Sequence, residues 1–233
     1  MTKSYYNILE TLVCVCAAED GHLKIYLKRK MTDPYKGYWI LPGKILSNDE
    51  SLEDSAKKVI EEVTGMPSLF LMQGKTFSAV NRDPDDRIIA CTFTTLSAKD
   101  LVEIKGDDGR HQLKWFNLDE LPKLGYDHED IIKANMKKLN HKILKNEDDV
   151  LFKLFPSDFT LPELQQFFEN IINKKLDRRN FRKKLITQNI VEPTGIKNVG
   201  GAGRPGELYK FNDKLGERSI IEWTKKVGAK KNF

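Results

Sequence analysis

Between Asp177 and Ile186 the chain reads Asp-Arg-Arg-Asn-Phe-Arg-Lys-Lys-Leu-Ile, five cations and one amide in ten residues. On a helix, Phe181 and Leu185 fall together at i and i+4, Arg179 and Lys183 lie opposite them, and Asn180 and Arg182 flank. Arginine and asparagine hydrogen-bond guanine and adenine edges in a major groove, and lysine pairs with phosphate. Arg178, Arg179, Asn180, Arg182 and Lys183 are therefore candidate DNA contacts. The glycine-rich run from Lys197 to Gly206 lets a backbone approach a duplex closely and places Arg204 for a phosphate or the minor groove. The blander reading is a solvated basic helix. A capped helix before it and a hairpin after it weigh against that.

Two other runs carry chemistry. Asn81-Arg-Asp-Pro-Asp-Asp-Arg87 is a turn by composition, yet Arg82 and Arg87 would make a fork for a phosphate or carboxylate. Asp127-His128 precedes a helix, where the N-cap reading is preferred over a catalytic histidine.

The elements that must position these groups follow from periodicity. Leu12 to Ala17 and His22 to Lys28 flank the turn Glu19-Asp-Gly21 as a hairpin. Leu52, Ala56, Val59, Ile60 and Val63 recur at helical spacing between a cap at Ser51 and a stop at Gly65. Strands are expected at Phe70 to Gln73, Thr76 to Val80, Ile88 to Leu96 and Leu113 to Phe116, and a helix from about Glu129 to Ile143. Polar residues Lys142 to Asp149 read as a joint. Beyond it, Thr160-Leu-Pro-Glu163 is a capping box with proline in the first turn, and Leu164, Phe167, Phe168, Ile171 and Ile172 form an apolar stripe. A second helix starts near Asp177. Ile190-Val191 and Leu208 to Phe211 then make a hairpin with a long tip. Helix, turn, helix, hairpin is the order of a winged helix.

Composition agrees with two domains. The 233 residues are 39% hydrophobic and 31% charged, which suits folded globular units. The net charge of +5 is uneven: residues 151–233 hold 17 Lys and Arg against 9 Asp and Glu, and residues 1–150 hold 22 against 25. A basic second part is expected near a polyanion, unless the charge serves only solubility. Leu12 to Ala18 is too short to span a bilayer and no leader is seen, so no membrane partner and a cytoplasmic location are expected. Cys14, Cys16 and Cys91 lack zinc spacing and are odd in number, so they read as buried thiols.

Gly37-Tyr-Trp-Ile-Leu-Pro-Gly43, the helix opening after Glu50, and Thr64-Gly65-Met66 resemble the Nudix hydrolases over roughly the first 140 residues. That resemblance implies a pyrophosphate ligand and helix carboxylates holding Mg²⁺ or Mn²⁺. The box is altered. In the better register Lys44 stands for the first glycine, Glu50 for the glutamate, Lys58-Val59 for the Arg-Glu pair and Glu62-Val63 for the Glu-Glu pair. A register shifted by one reads Glu61-Glu62 as that pair but puts Lys57-Lys58 at Arg-Glu. Both lose a ligand. Val59, Glu62 and Val63 are expected on one side of the helix, and Glu61 about 100° away.

Both halves together resemble Nudix-related transcriptional regulators, the NrtR-like family. Arg82-Asp83-Pro84, Asp127-His128 and Arg178 to Lys184 look like its recurring features. The implied architecture is α/β: a Nudix α/β/α sandwich at residues 1–145 and a winged-helix (helix-turn-helix) domain at 146–233. The implied function is a ligand-responsive regulator, expected to repress, that binds operator DNA as a homodimer. Its effector would be an ADP-ribose-like nucleotide or a sugar, held near Arg82, Arg87, Lys44 and Glu62. No cofactor or metal is expected, with Mg²⁺ needed only if the domain hydrolyses. The alternative is a Nudix pyrophosphohydrolase acting on nucleoside diphosphates such as ADP-ribose.

Overall fold

The computed structural model describes residues 7–65, 70–97, 112–155, 158–198, 206–213 and 215. The chain divides into two compact units, residues 1–17 with 23–138, and residues 18–22 with 139–233. The first unit is built on a seven-stranded mixed sheet. Its strands are β1 (Ile8–Glu19), β2 (His22–Arg29), β3 (Trp39–Ile40), β4 (Gly43–Ile45), β5 (Met72–Phe77), β6 (Ile88–Leu96) and β7 (Leu113–Asn117). The order is β3-β2-β1-β6-β5, with β4 added to β1 and β7 to β2. β1 and β6 run parallel, from Ile8 opposite Ile88 to Cys16 opposite Leu96.

β1 is buried on both faces, and the period of two assigns each face a helix. Val13 and Val15 pack with Ala56, Val59, Ile60 and Val63 of α1 (Leu52–Thr64). Cys14 and Cys16 turn the other way, toward Asn135 and Met136 of α2 (His128–Lys145). This is the expected α/β/α arrangement. α1 begins and ends where its caps say: the Ser51 hydroxyl accepts from the Asp54 N–H, and Gly65 closes the helix at φ 72°. All three cysteines are buried thiols. Burial pushes the Cys14 thiol up to about 12 and Cys16 well above its usual range.

Two local expectations need correction. One strand, β5, replaces the two expected at 70–73 and 76–80, with an irregularity between Gln73 and Thr76. The Gly74 backbone lies so close to Asn135 that a Cβ there would sit 1.9 Å from its Oδ1, so no side chain fits. Lys44 lies in β4, paired with Thr11. Asp127 does not cap α2 with its side chain, because Arg82 takes its carboxylate.

The second unit contains α3 (Val150–Leu154), α4 (Leu161–Ile172), α5 (Arg178–Thr187), β8 (Val191–Asn198) and β9 (Gly206–Phe211). β8 and β9 pair antiparallel, and Phe159 bridges to Tyr209 as a short third edge. The core is aromatic: the Phe155 ring lies 5.0 Å from Phe167, and Phe159 lies 4.8 Å from Phe211. The Thr160 cap is formed, its hydroxyl accepting from the Glu163 N–H with proline in the first turn. α3 falls inside the stretch following the expected joint and was not anticipated, since five residues are too few to display a helical period. Before it, Asn146, Asp148 and Asp149 adopt left-handed φ of 50°, 56° and 54°, which separates α2 from α3.

Candidate functional site

The altered box has become a structural joint. Lys58 Nζ lies 2.7 Å and Lys44 Nζ 3.0 Å from the Glu50 carboxylate, whose side chain is only 3% exposed. The Ser47 N–H also donates to it at 3.0 Å. Lys58 foremost, then this N–H and Lys44, pull the Glu50 carboxyl down to about 2.

A divalent cation does not fit this helix. Val59 and Val63 are 2% and 8% exposed and lie in the apolar cluster with Val13, Val15, Tyr26 and Phe93. Hydrocarbon offers no lone pair to a hard cation. Glu61 and Glu62 are exposed, so Glu62 does not share the face of the two valines as expected. Among the described residues no three histidine, cysteine or carboxylate side chains converge as metal ligands.

A cleft of about 180 Å³ opens elsewhere on the sheet, lined by Glu10, Lys28, Lys30, Ile40, Leu41, Gly43, Asp83, Tyr126 and His128. Gly43 is there because β4 presses on β1: a Cβ would meet Leu12 Cδ2 at 2.5 Å and the Thr11 carbonyl at 2.6 Å. The four expected effector contacts lie off this wall. Lys44 is held by Glu50, and Glu62 is on the solvent side of α1. Arg87 donates to the Ala79 carbonyl at 3.2 Å. Arg82 is buried and grips both Asp127 oxygens at 2.9 and 3.0 Å, with a third contact to Glu10 at 3.4 Å. The two arginines thus have separate partners and form no fork. Arg82 instead braces the cleft from within, through Glu10.

The electrostatics of the cleft suit binding more than proton transfer. The buried His128 accepts the Leu41 N–H on Nδ1 at 2.9 Å, which leaves Nε2 as the protonated nitrogen. Burial, and then the Arg82 charge, hold its pKa down to about 3, so it is neutral at physiological pH. Burial and the acids Asp83 and Glu10 push the Tyr126 phenol up to about 12, keeping it a hydrogen-bond donor. Burial raises Glu10 against the opposing pull of Arg82. The Tyr126 ring lies 4.7 Å from Tyr35 in a tilted contact, Tyr35 meets Tyr38 at 5.6 Å, and Lys30 stands 5.8 Å over the Tyr126 ring. Two lysines beside a tyrosine cluster offer cations for phosphate and flat apolar faces for a base or sugar. Lys28, Lys30 and Tyr126 are not singled out by the sequence, although Lys28 lies in β2 and Lys30 two residues on, just past the strand's end.

The basic helix is as expected. Asp177 caps α5 by accepting the Asn180 N–H at 2.8 Å, and Phe181 and Leu185 are buried. Arg178, Arg179, Asn180, Arg182 and Lys183 are all exposed. Among the described residues, Arg178, Arg179 and Lys183 make no ion pair. The turn into α5 is held by the nearly buried Glu169, which accepts from Lys175 at 2.8 Å, Gln165 at 2.8 Å and the Leu176 N–H at 2.9 Å. Arg204 lies outside the described residues.

Comparison with known proteins finds a match for each part of the chain. The NUDIX domain profile matches residues 9–135, and the NrtR DNA-binding winged helix domain profile matches 151–211. The ADPR responsive transcriptional repressor NtrR of Acinetobacter baylyi is 29% identical over 203 residues, covering 85% of this chain and 80% of that protein. The ADP-ribose pyrophosphatase of Methanocaldococcus jannaschii is 33% identical over 141 residues, covering 59% and 80%. The crystal structure of Shewanella oneidensis NrtR complexed with a 27mer DNA superposes with a TM-score of 0.71 at 27% identity, covering 91% of this chain and 97% of that one. No helix among the described residues is long and apolar enough to cross a membrane.

Proposed function

We infer that this chain, which belongs to the NUDIX family and carries an NrtR-type DNA-binding winged helix domain, is a transcriptional repressor that binds operator DNA and responds to ADP-ribose. The observation that carries this reading is α5: a capped helix with a buried apolar side and an exposed face on which Arg178, Arg179 and Lys183 have no ion-pair partner among the described residues, beside a β-hairpin. Such a face has the charge and the donor set to enter a major groove. The repressor of Acinetobacter baylyi, similar over most of both chains, supplies the effector class. We assign residues 1–145 to sensing and 146–233 to DNA. Two copies would read the two halves of a palindromic operator. A repressor shares a compartment with its operator, and three free thiols suit the reducing cytoplasm.

In the sensing domain, the phosphates of ADP-ribose are placed at Lys28 and Lys30, and its base or ribose against Tyr126. The cleft is small for a whole dinucleotide-sized ligand, so only part of the molecule is enclosed. Binding without hydrolysis follows from the loss of carboxylates at Val59 and Val63. For the ligand to control DNA it must bind the two DNA-affinity states unequally.

The test uses the full-length protein, a duplex that it selects from random-sequence DNA, and a scrambled control. Preferential binding to the selected duplex, shifted by added ADP-ribose, is the expected result. Failure to select any sequence overturns the repressor reading, and selection without an ADP-ribose shift overturns the effector. Turnover of ADP-ribose with Mg²⁺ at about 1 s⁻¹ or faster, an ordinary enzyme rate, would replace both with the pyrophosphohydrolase.

A further inference from the structure

We propose that Tyr209 is a positioning residue for DNA recognition: its hydroxyl holds the Arg182 guanidinium ready for a base edge, and Glu207 in turn holds the hydroxyl. The proposal rests on the reading of α5 as the recognition helix. Arg182 projects from α5, whereas Tyr209 and Glu207 belong to β9 of the hairpin. The Tyr209 hydroxyl donates to Glu207 Oε2 at 2.8 Å and accepts from Arg182 Nη2 at 3.4 Å. A phenol both donates and accepts, so one hydroxyl satisfies the two neighbours at once. The carboxylate on its proton side makes its oxygen a better acceptor for the guanidinium.

The anchor is rigid. Tyr209 is 4% exposed, so its ring cannot swing away. Its backbone is fixed by two hydrogen bonds to Phe159, at 2.9 and 2.8 Å, besides its pairing opposite Pro193. Arg182 itself is exposed and long. An unanchored arginine loses rotamer freedom when it docks on a base, and a tether to one of its five N–H groups removes part of that loss beforehand. Its remaining donors have no partner among the described residues. Tethered in this way, Arg182 differs from Arg179 and Lys183, which have no ion-pair partner among the described residues. The effect belongs to base reading and not to general attraction, because Tyr209 carries no charge toward phosphate.

The experiment compares full-length wild type with Tyr209→Phe, Arg182→Ala and the double variant. Each is titrated with the duplex that the wild type selects from random-sequence DNA and with its scrambled counterpart. Tyr209→Phe keeps the buried ring and is expected to weaken selected-duplex binding roughly 3- to 10-fold, the scale of one hydrogen bond. Scrambled-duplex binding should be unchanged. In the Arg182→Ala background the tyrosine substitution should add nothing, because its only route to DNA is gone. An unchanged ratio of selected to scrambled affinity in Tyr209→Phe, with Arg182→Ala still lowering it, overturns the positioning role and leaves the recognition helix standing. Equal losses on both duplexes also overturn it, since they mark a role in the fold alone. No effect of Arg182→Ala overturns the recognition-helix reading of this residue together with the proposal.

Discussion

Helices α1 and α5 are both amphipathic and both rich in lysine or arginine, but they spend those cations differently. On α1 the Lys58 ammonium is bound to Glu50, together with Lys44 from the neighbouring strand, and Lys57 pairs with Asp54. On α5 five cations stand without a single carboxylate in the helix, and Arg178, Arg179 and Lys183 have no ion-pair partner among the described residues. The apolar sides are alike: Val59 and Val63 are as much part of a core as Phe181 and Leu185. A family motif therefore shows where a helix sits, while its ion pairs and burial show whether the old chemistry is still available. On α1 the lysines are spent on holding the fold, whereas on α5 Arg178, Arg179 and Lys183 keep no ion-pair partner among the described residues.

The sharpest way to break that contrast is to restore a carboxylate on α1. Val59→Glu places an unpaired charge in the cluster with Val13, Tyr26 and Phe93. It should destabilise the protein by roughly 3–5 kcal/mol, the scale of an uncompensated buried charge, as read by urea denaturation. A stable variant that gains Mg²⁺-dependent ADP-ribose turnover would mean the site had only been disarmed.

On α5 the expected losses are in binding and not in stability. Arg179→Ala should weaken selected-duplex binding by about 1–3 kcal/mol and relax sequence preference at one position, with thermal melting unchanged. If titration shows the same affinity as wild type, Arg179 does not read a base. Lys183→Ala should cost less and cost it evenly on selected and scrambled DNA, lowering the slope of log K against log salt by about one. A salt series that leaves the slope intact would take Lys183 off the phosphate backbone.

The smallest effect at neutral pH belongs to His128. Its folded pKa of about 3 lies below the ordinary histidine value of 6.5, so between these values the unfolded chain binds the extra proton. Stability contributed by the neutral ring is complete above pH 6.5 and declines as pH falls toward 3. His128→Asn can still accept the Leu41 N–H and should flatten denaturation midpoints across this window. An equally steep pH dependence in the variant would assign the acid sensitivity to other groups.

Much of the scaffold was legible from short-range pattern. The caps at Ser51 and Thr160, the start of α5 at Asp177, the stop at Gly65, and the buried pair Phe181 and Leu185 all stand where spacing placed them. The charge imbalance between the two parts is read from composition alone. The caps, the stop and the buried pair depend on neighbours two to four residues away, because backbone periodicity and capping act over that range. The fate of the polar side chains was decided only in three dimensions. Arg82 looked like a ligand fork until Asp127, 45 residues on, and Glu10, 72 residues back, closed around it. Lys28, Lys30 and Tyr126 became one cleft only when the strands folded together. Arg182 met Tyr209 across 27 residues. A long charged side chain takes whichever partner folding brings within about 3 Å, and that choice leaves no trace in local spacing.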